Sequence, residues 1–262
     1  MTSFQLSVDQ QAQFHEDGFL IVRDLFDAEE MGLLRTIARA DQELDKQAAS
    51  RRDGQGGVVR LSLRNDLPDD IYSACVRSRR IVDAMERILG GEVYHYHHKM
   101  ILKEPYVGGA WEWHQDYGYW YHTGCLFPYM ASCMIAVDKA TKENACLQVL
   151  RGSHHLGRLD HGPIGDQTGA DLEHVQAALD RLERVHCELD PGSAVFFHCN
   201  LLHRSDQNRG PNPRWALICC YNAARNNPYK ESRHPRYGLL EKWPDERIKE
   251  TGLRQLAALE RE

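Results

Sequence analysis

The chain has 262 residues, 42% of them hydrophobic and 27% charged, with a formal net charge of −6. That length suffices for one large domain with a substantial core, and the scattered basic residues exclude the electrostatic footprint of a nucleic-acid binder. No apolar run approaches the roughly 18 residues of a membrane span, and the start MTSFQLSVDQ lacks the basic and apolar blocks of a secretory leader.

In chain order, Ser7 in SVDQ opens a capping box and a short helix that stops at Gly18. FLIVR (Phe19 to Arg23) reads as a strand. Asp27 caps a second helix with Met31, Leu34, Ile37 and Ala38 on its apolar face. RRDGQGG (Arg51 to Gly57) reads as a flexible loop, and RSRR (Arg77 to Arg80) as a solvated helix start. A further helix covers about Arg79 to Leu89 and ends at Gly90 and Gly91.

The pattern then turns to β. Strands are expected at VYHYHHKMILK (Val93 to Lys103), the HQD segment, Ala131 to Asp138, Cys146 to Leu150, Arg184 to Leu189, Ala194 to His198 and Arg214 to Asn222. One helical insert, Asp171 to Glu183, interrupts them. Helices followed by closely spaced strands predict a mainly β jelly roll with flanking helices. One domain is expected over 1–262: a helical part over about 7–90, a β core over about 91–222 and a tail over 223–262. The eight cysteines show no C-x-x-C and several sit in apolar runs, which fits a reducing, cytoplasmic compartment.

On a strand, residues i and i+2 face the same way, so His114 and Asp116 would aim together with Gln115 turned aside. They are two-thirds of a 2-His-1-carboxylate triad, which leaves coordination positions open on iron(II). His198 and His203 both offer the missing imidazole. Arg214, eleven residues after His203, would grip the far carboxylate of 2-oxoglutarate bidentately.

The order of H-x-D, NACLQVLRGSH (Asn144 to His154) and DPGSAVFFHCNLLHRSDQN (Asp190 to Asn208), with an arginine eleven residues past the last histidine, resembles the phytanoyl-CoA dioxygenase (PhyH-type) family of iron(II)/2-oxoglutarate oxygenases. FHEDGFLIVRDLF (Phe14 to Phe26) is similar to the family's N-terminal helix and strand, and the likeness runs from about residue 10 to 225. The resemblance implies a double-stranded β-helix (cupin-like) core. It implies His114, Asp116 and His203 as metal ligands, with His203 preferred to His198, Arg214 as the 2-oxoglutarate clamp, and Lys99 beside the cosubstrate. Iron(II), 2-oxoglutarate and O2 would be the cofactor and cosubstrates, with release of succinate and CO2. Met134 stands where members of the family carry a tryptophan. Related halogenases replace the carboxylate ligand by a small residue, so Asp116 favours hydroxylation.

Around this site Tyr117, Tyr119, His97 and Arg60 are the candidate substrate contacts. Period-two alternation would put His95, His97 and Lys99 on one strand face. The expected partner is a small polar or anionic metabolite, since no basic patch offers itself to CoA phosphates; the oligomeric state is left open. Alternatives are the same iron chemistry ending in desaturation, cyclisation or epimerisation. In another class stands a non-redox, cupin-like metal-binding or sensor domain, and a zinc hydrolase lacks its separate catalytic carboxylate.

Overall fold

Ser7 caps the first helix through a reciprocal pair: its Oγ accepts from the Gln10 N–H at 3.1 Å, and Gln10 Oε1 accepts from the Ser7 N–H at 2.9 Å. This is a computed structural model that describes residues 4–261. Helix α1 (Val8–Asp17) ends at Gly18, whose φ of 82° suits glycine and where a Cβ would lie 2.5 Å from His154. Strand β1 (Phe19–Val22) follows, then α2 (Ala28–Ala40), capped by Asp27 and Glu30, and α3 (Gln42–Gln47).

The hairpin of β2 (Ala49–Arg52) and β3 (Val58–Arg64) closes through the RRDGQGG segment. That segment is a loop, as expected, but an anchored one rather than a flexible one. The buried Asp53 carboxylate accepts from the N–H groups of Gln55, Gly57 and Ala110 and from Gln207 Nε2. Helices α4 (Ile71–Arg77) and α5 (Arg79–Leu89) come next. The basic run between them is not a solvated face, because Arg80 pairs with the buried Glu30 at 2.9 Å and donates to the Leu25 carbonyl.

Then follow β4 (Val93–Lys103), β5 (Trp111–His114), the one-turn α6 (Tyr117–Trp120), β6 (Met130–Ala136) and β7 (Leu147–Leu150). A small hairpin of β8 (His161–Ile164) and β9 (Gln167–Ala170) leads into α7 (Leu172–Leu179). The chain closes with β10 (Arg184–Cys187), β11 (Ala194–His198), β12 (His203–Ser205), β13 (Arg214–Ala223) and α8 (Arg247–Leu259).

Two antiparallel sheets form the jelly roll: a seven-stranded one in the order β1-β11-β6-β13-β4-β3-β2, and a four-stranded one in the order β10-β7-β12-β5. Their facing sides share one core, with Phe197, Met134 and Ile218 from the large sheet against Leu147 and Val149 from the small one. The outer side of the large sheet is covered by α2, α4 and α5, whose Leu34, Ile71 and Met85 pack on Cys133, Ile135 and Leu217. The C-terminal stretch holds α8 against α2 and α4, and Lys249 reaches Asp27 and Glu29. Among the described residues no helix is long and apolar enough to cross a membrane, and all eight cysteines are buried free thiols.

Candidate metal centre

β5 ends on His114 and β12 begins on His203, and the antiparallel register sets these two residues directly opposite each other. Each imidazole is fixed by its own backbone. His114 Nδ1 donates to the Glu112 carbonyl at 2.7 Å, and His203 Nδ1 donates to the Leu201 carbonyl at 2.9 Å. Both rings therefore present an unprotonated Nε2, the form a metal requires.

Asp116 joins them by a different route from strand alternation. β5 stops at His114, and Asp116 is in the right-handed helical region (φ −56°, ψ −36°) as the residue before α6. Gln115 makes that turn rigid. Its Nε2 donates to the Gly157 and Asn200 carbonyls, both at 2.7 Å, and its Oε1 accepts from the Leu159 N–H. Its backbone N–H donates to His161 Nε2, and the His161 ring lies so close to α6 that a Cβ on Gly118 would fall 2.3 Å from it. His114, Asp116 and His203 are all buried, and one donor atom from each lies within 4.8 Å of the others.

The electrostatics suit a cation. Burial pushes the His114 imidazole well below its ordinary pKa, with the neighbouring His203 adding to the effect, and burial lowers His203 as well. Burial acts against ionisation of Asp116, but Lys99 and the two histidines outweigh it and hold the carboxyl below its usual range. Ser132 Oγ donates to Asp116 Oδ2 at 3.3 Å, and Lys99 Nζ lies 3.7 Å from Oδ1. Burial likewise opposes the Lys99 charge, and Asp116 more than compensates.

Cross-strand register arranges the inner face of the large sheet in rows. Leu63, Lys99, Ile218, Met134 and Val195 form one row, level with the Asp116 carboxylate that Lys99 approaches. The next is Leu61, Ile101, Ala216 and Ala136, where two positions carry only a methyl side chain. Beyond it Lys103 pairs with Arg214. The Arg214 guanidinium is buried, and its Nε has no hydrogen-bond partner among the described residues. Burial draws its pKa down to about 10, against the opposing pull of Cys146 and Asp138. A buried, unpartnered guanidinium fits a carboxylate that the polypeptide does not supply.

The remaining candidates divide. Tyr119 stands beside His114, ring centroids 5.7 Å apart, and its hydroxyl donates to the Thr168 carbonyl. Tyr117 is tied into the core by a 3.0 Å hydrogen bond to the Cys125 carbonyl. His97 keeps to the Lys99 side, stacked on His234 at 4.8 Å. His95 does not, because a bulge in β4 between the His97 and His95 pairings shifts the alternation; His95 instead meets His98 at 3.1 Å. Arg60 lies in the row of Leu102 and Trp215, on the helix-covered face, and pairs with Asp45 at 2.9 Å. His198 is outside the cluster, its Nδ1 accepting from the Asn200 N–H at 3.0 Å. Gln115 and Lys103 carried no motif; their roles come from contacts between distant segments.

Two facing sheets enclose this buried His-Asp-His cluster in a double-stranded β-helix, and taken with its relatives the chain is an iron(II)/2-oxoglutarate-dependent oxygenase. Residues 14–216 match the family model described as phytanoyl-CoA dioxygenase (PhyH), and the chain belongs to that family. It is 28% identical to L-proline trans-4-hydroxylase of Streptomyces griseoviridis, over 87% of this chain and 91% of the relative. It is also 28% identical to ectoine dioxygenase of Bordetella parapertussis, over 88% of this chain and 80% of the relative. The crystal structure of EctD from S. alaskensis with 2-oxoglutarate and 5-hydroxyectoine superposes with a TM-score of 0.78 at 23% identity, covering 93% of this chain and 89% of that one.

Proposed function

We propose that His114, Asp116 and His203 hold iron(II), that Arg214 takes the distal carboxylate of 2-oxoglutarate, and that the enzyme hydroxylates an unactivated C–H of a small cyclic amino acid or similar metabolite. The observation that carries this reading is the pairing of the donor cluster with the buried, unpartnered Arg214 two rows away across the alanine floor. Iron(II) bound there would supply the coupling of O2 and 2-oxoglutarate, consumed to succinate and CO2, to oxidation of the substrate.

The chain's own residues do the rest. Glu112 and Leu201 carbonyls orient the two imidazoles, Ser132 and Lys99 orient and ionise Asp116, and Ala216 and Ala136 present only methyl groups on the path from Asp116 to Arg214. Lys99 stands at the Asp116 end of that path. Tyr119, beside His114, and His97, beyond Lys99, wall the side on which a substrate would approach. Fixing both partners and excluding water is the protein's contribution to rate.

The substrate class is suggested by the names of the two relatives, one acting on proline and the other on ectoine. The test is succinate formation from 2-oxoglutarate by enzyme loaded anaerobically with iron and then exposed to O2, with proline, ectoine, other amino acids, phosphonates and acyl-CoAs offered in turn. Stimulation by one compound, absent in His114→Ala, is expected. Absence of both succinate and 2-oxoglutarate binding would sink the proposal.

A further inference from the structure

β3 pairs with β4 only from Leu102 to His98, so among the described residues the first half of β4 has no strand along that side. The C-terminal segment takes the place. Tyr237 packs edge-on against Tyr94, with ring centroids 5.8 Å apart, and His234 meets both Tyr96 and His97, at 4.7 and 4.8 Å. Asn65, one residue past β3, pins the segment by donating from Nδ2 to the Arg233 carbonyl at 2.8 Å. This stretch lies beyond residues 14–216, the part of the chain that matches the family model.

His97 connects the segment to the metal centre. It heads a cross-strand row that continues through Cys220 and Ser132 to Phe197. Ser132 donates to Asp116, and the Phe197 ring stands 4.9 Å from His203. Trp120, four residues after Asp116, meets the His97 ring edge-on at 5.7 Å.

The two stacked imidazoles have hydrogen-bonding capacity that the chain leaves unused. His97 is buried, and its Nδ1 has no partner. For His234 the tautomer follows from its neighbour. The Asn65 amide is oriented by its bond to Arg233, so its Oδ1 faces His234 Nδ1 at 3.4 Å and the proton belongs on Nδ1. Burial, with the Arg233 and Lys99 charges adding to it, holds this ring neutral, at about 4. His234 Nε2 is then a bare acceptor, and among the described residues no donor reaches it. Lys99, the nearby cation on β4, is already engaged by Asp116 at 3.7 Å. An acceptor beside the faces of Tyr96 and Trp120 suits an N–H donor, and a protonated amine best of all.

We propose that the C-terminal segment completes the substrate pocket and that His234, stacked on His97, is a specificity-determining residue whose Nε2 accepts from an amine N–H of the substrate. This rests on the reading of the site as an iron(II)/2-oxoglutarate hydroxylase and narrows its substrates to small molecules that carry such a donor.

The probes are two isosteric pairs: L-proline against tetrahydrofuran-2-carboxylate, and L-pipecolate against tetrahydropyran-2-carboxylate. Each pair exchanges a ring N–H for a ring oxygen. Calorimetry on anaerobic enzyme loaded with iron(II) and saturated with 2-oxoglutarate gives the affinities. In at least one pair the wild-type enzyme should prefer the amine by about 10-fold or more, the scale of a hydrogen bond to a charged group. His234→Phe keeps a ring on Tyr96 and His97 but no acceptor, and should bring that ratio close to one. Should the phenylalanine variant fail to fold, His234→Ala is read in the same way. A ratio undiminished in the variant overturns the assignment in favour of a purely structural ring. An enzyme that binds 2-oxoglutarate but shows no amine preference in either pair overturns this inference alone. Failure to load iron or to bind 2-oxoglutarate overturns the reading of the metal centre, and this inference with it.

Discussion

His203 faces His114 across the β12–β5 pairing, with ring centroids 4.1 Å apart and each Nδ1 tied to a carbonyl two residues earlier in its own chain segment. Neither ring can turn its Nε2 away without breaking a backbone bond. Replacement of either by alanine should lower iron affinity by more than about 100-fold, beyond the range for loss of an outer partner. Metal content after dialysis, with far-ultraviolet circular dichroism as the folding control, checks this.

Gln115 is the residue on which the Asp116 turn depends. Gln115→Leu leaves two carbonyls and one N–H of other segments unsatisfied, and should cost about 3 kcal/mol in urea unfolding of the metal-free protein. It should also weaken iron binding, since Asp116 is the next residue. Wild-type stability in the variant would show that water or neighbouring groups replace those bonds.

Gly118 is required by the His161 ring rather than by its own backbone angles. Gly118→Ala should destabilise by about 2 kcal/mol through overpacking, and His161→Ala should recover most of that loss in the double variant. Additive losses would place the strain elsewhere.

Acid should unfold the metal-free protein early. Burial holds His98 and His234 at about 4 and His198 at about 3, against an unfolded value near 6.5. Below pH ~6.5 the unfolded chain binds protons that the folded one refuses, so stability falls with falling pH. These three groups together remove about 3 kcal/mol between pH ~6.5 and ~5.5. Urea midpoints across that interval measure it, and a flat profile would contradict the neutral burial of these rings.

Arg60 provides the control. Its partner Asp45 is half exposed or more, so Arg60→Ala should change stability by no more than about 1 kcal/mol and leave keto-acid affinity within about two-fold. A large loss of 2-oxoglutarate binding would require Arg60 to reach the inner face, which the register of β3 opposes.

The sequence by itself carried the chemistry: an imidazole and a carboxylate two residues apart, a second histidine, and an arginine eleven residues later. It also carried the caps at Ser7 and Asp27 and the long β4, because local hydrogen bonding and apolar periodicity are written in consecutive residues. Tertiary structure decided what depends on pairing between distant segments. The strand alternation expected at H-x-D is a turn held by Gln115, and the alternation expected along β4 is broken by a bulge before His95. Register sends Arg60 to the helix side and Lys103 to Arg214, and the glycine-rich loop is fixed by Asp53 contacts to Ala110 and Gln207. Which face a residue takes is set by strand register and by bonds across many residues of separation, and no local pattern encodes these.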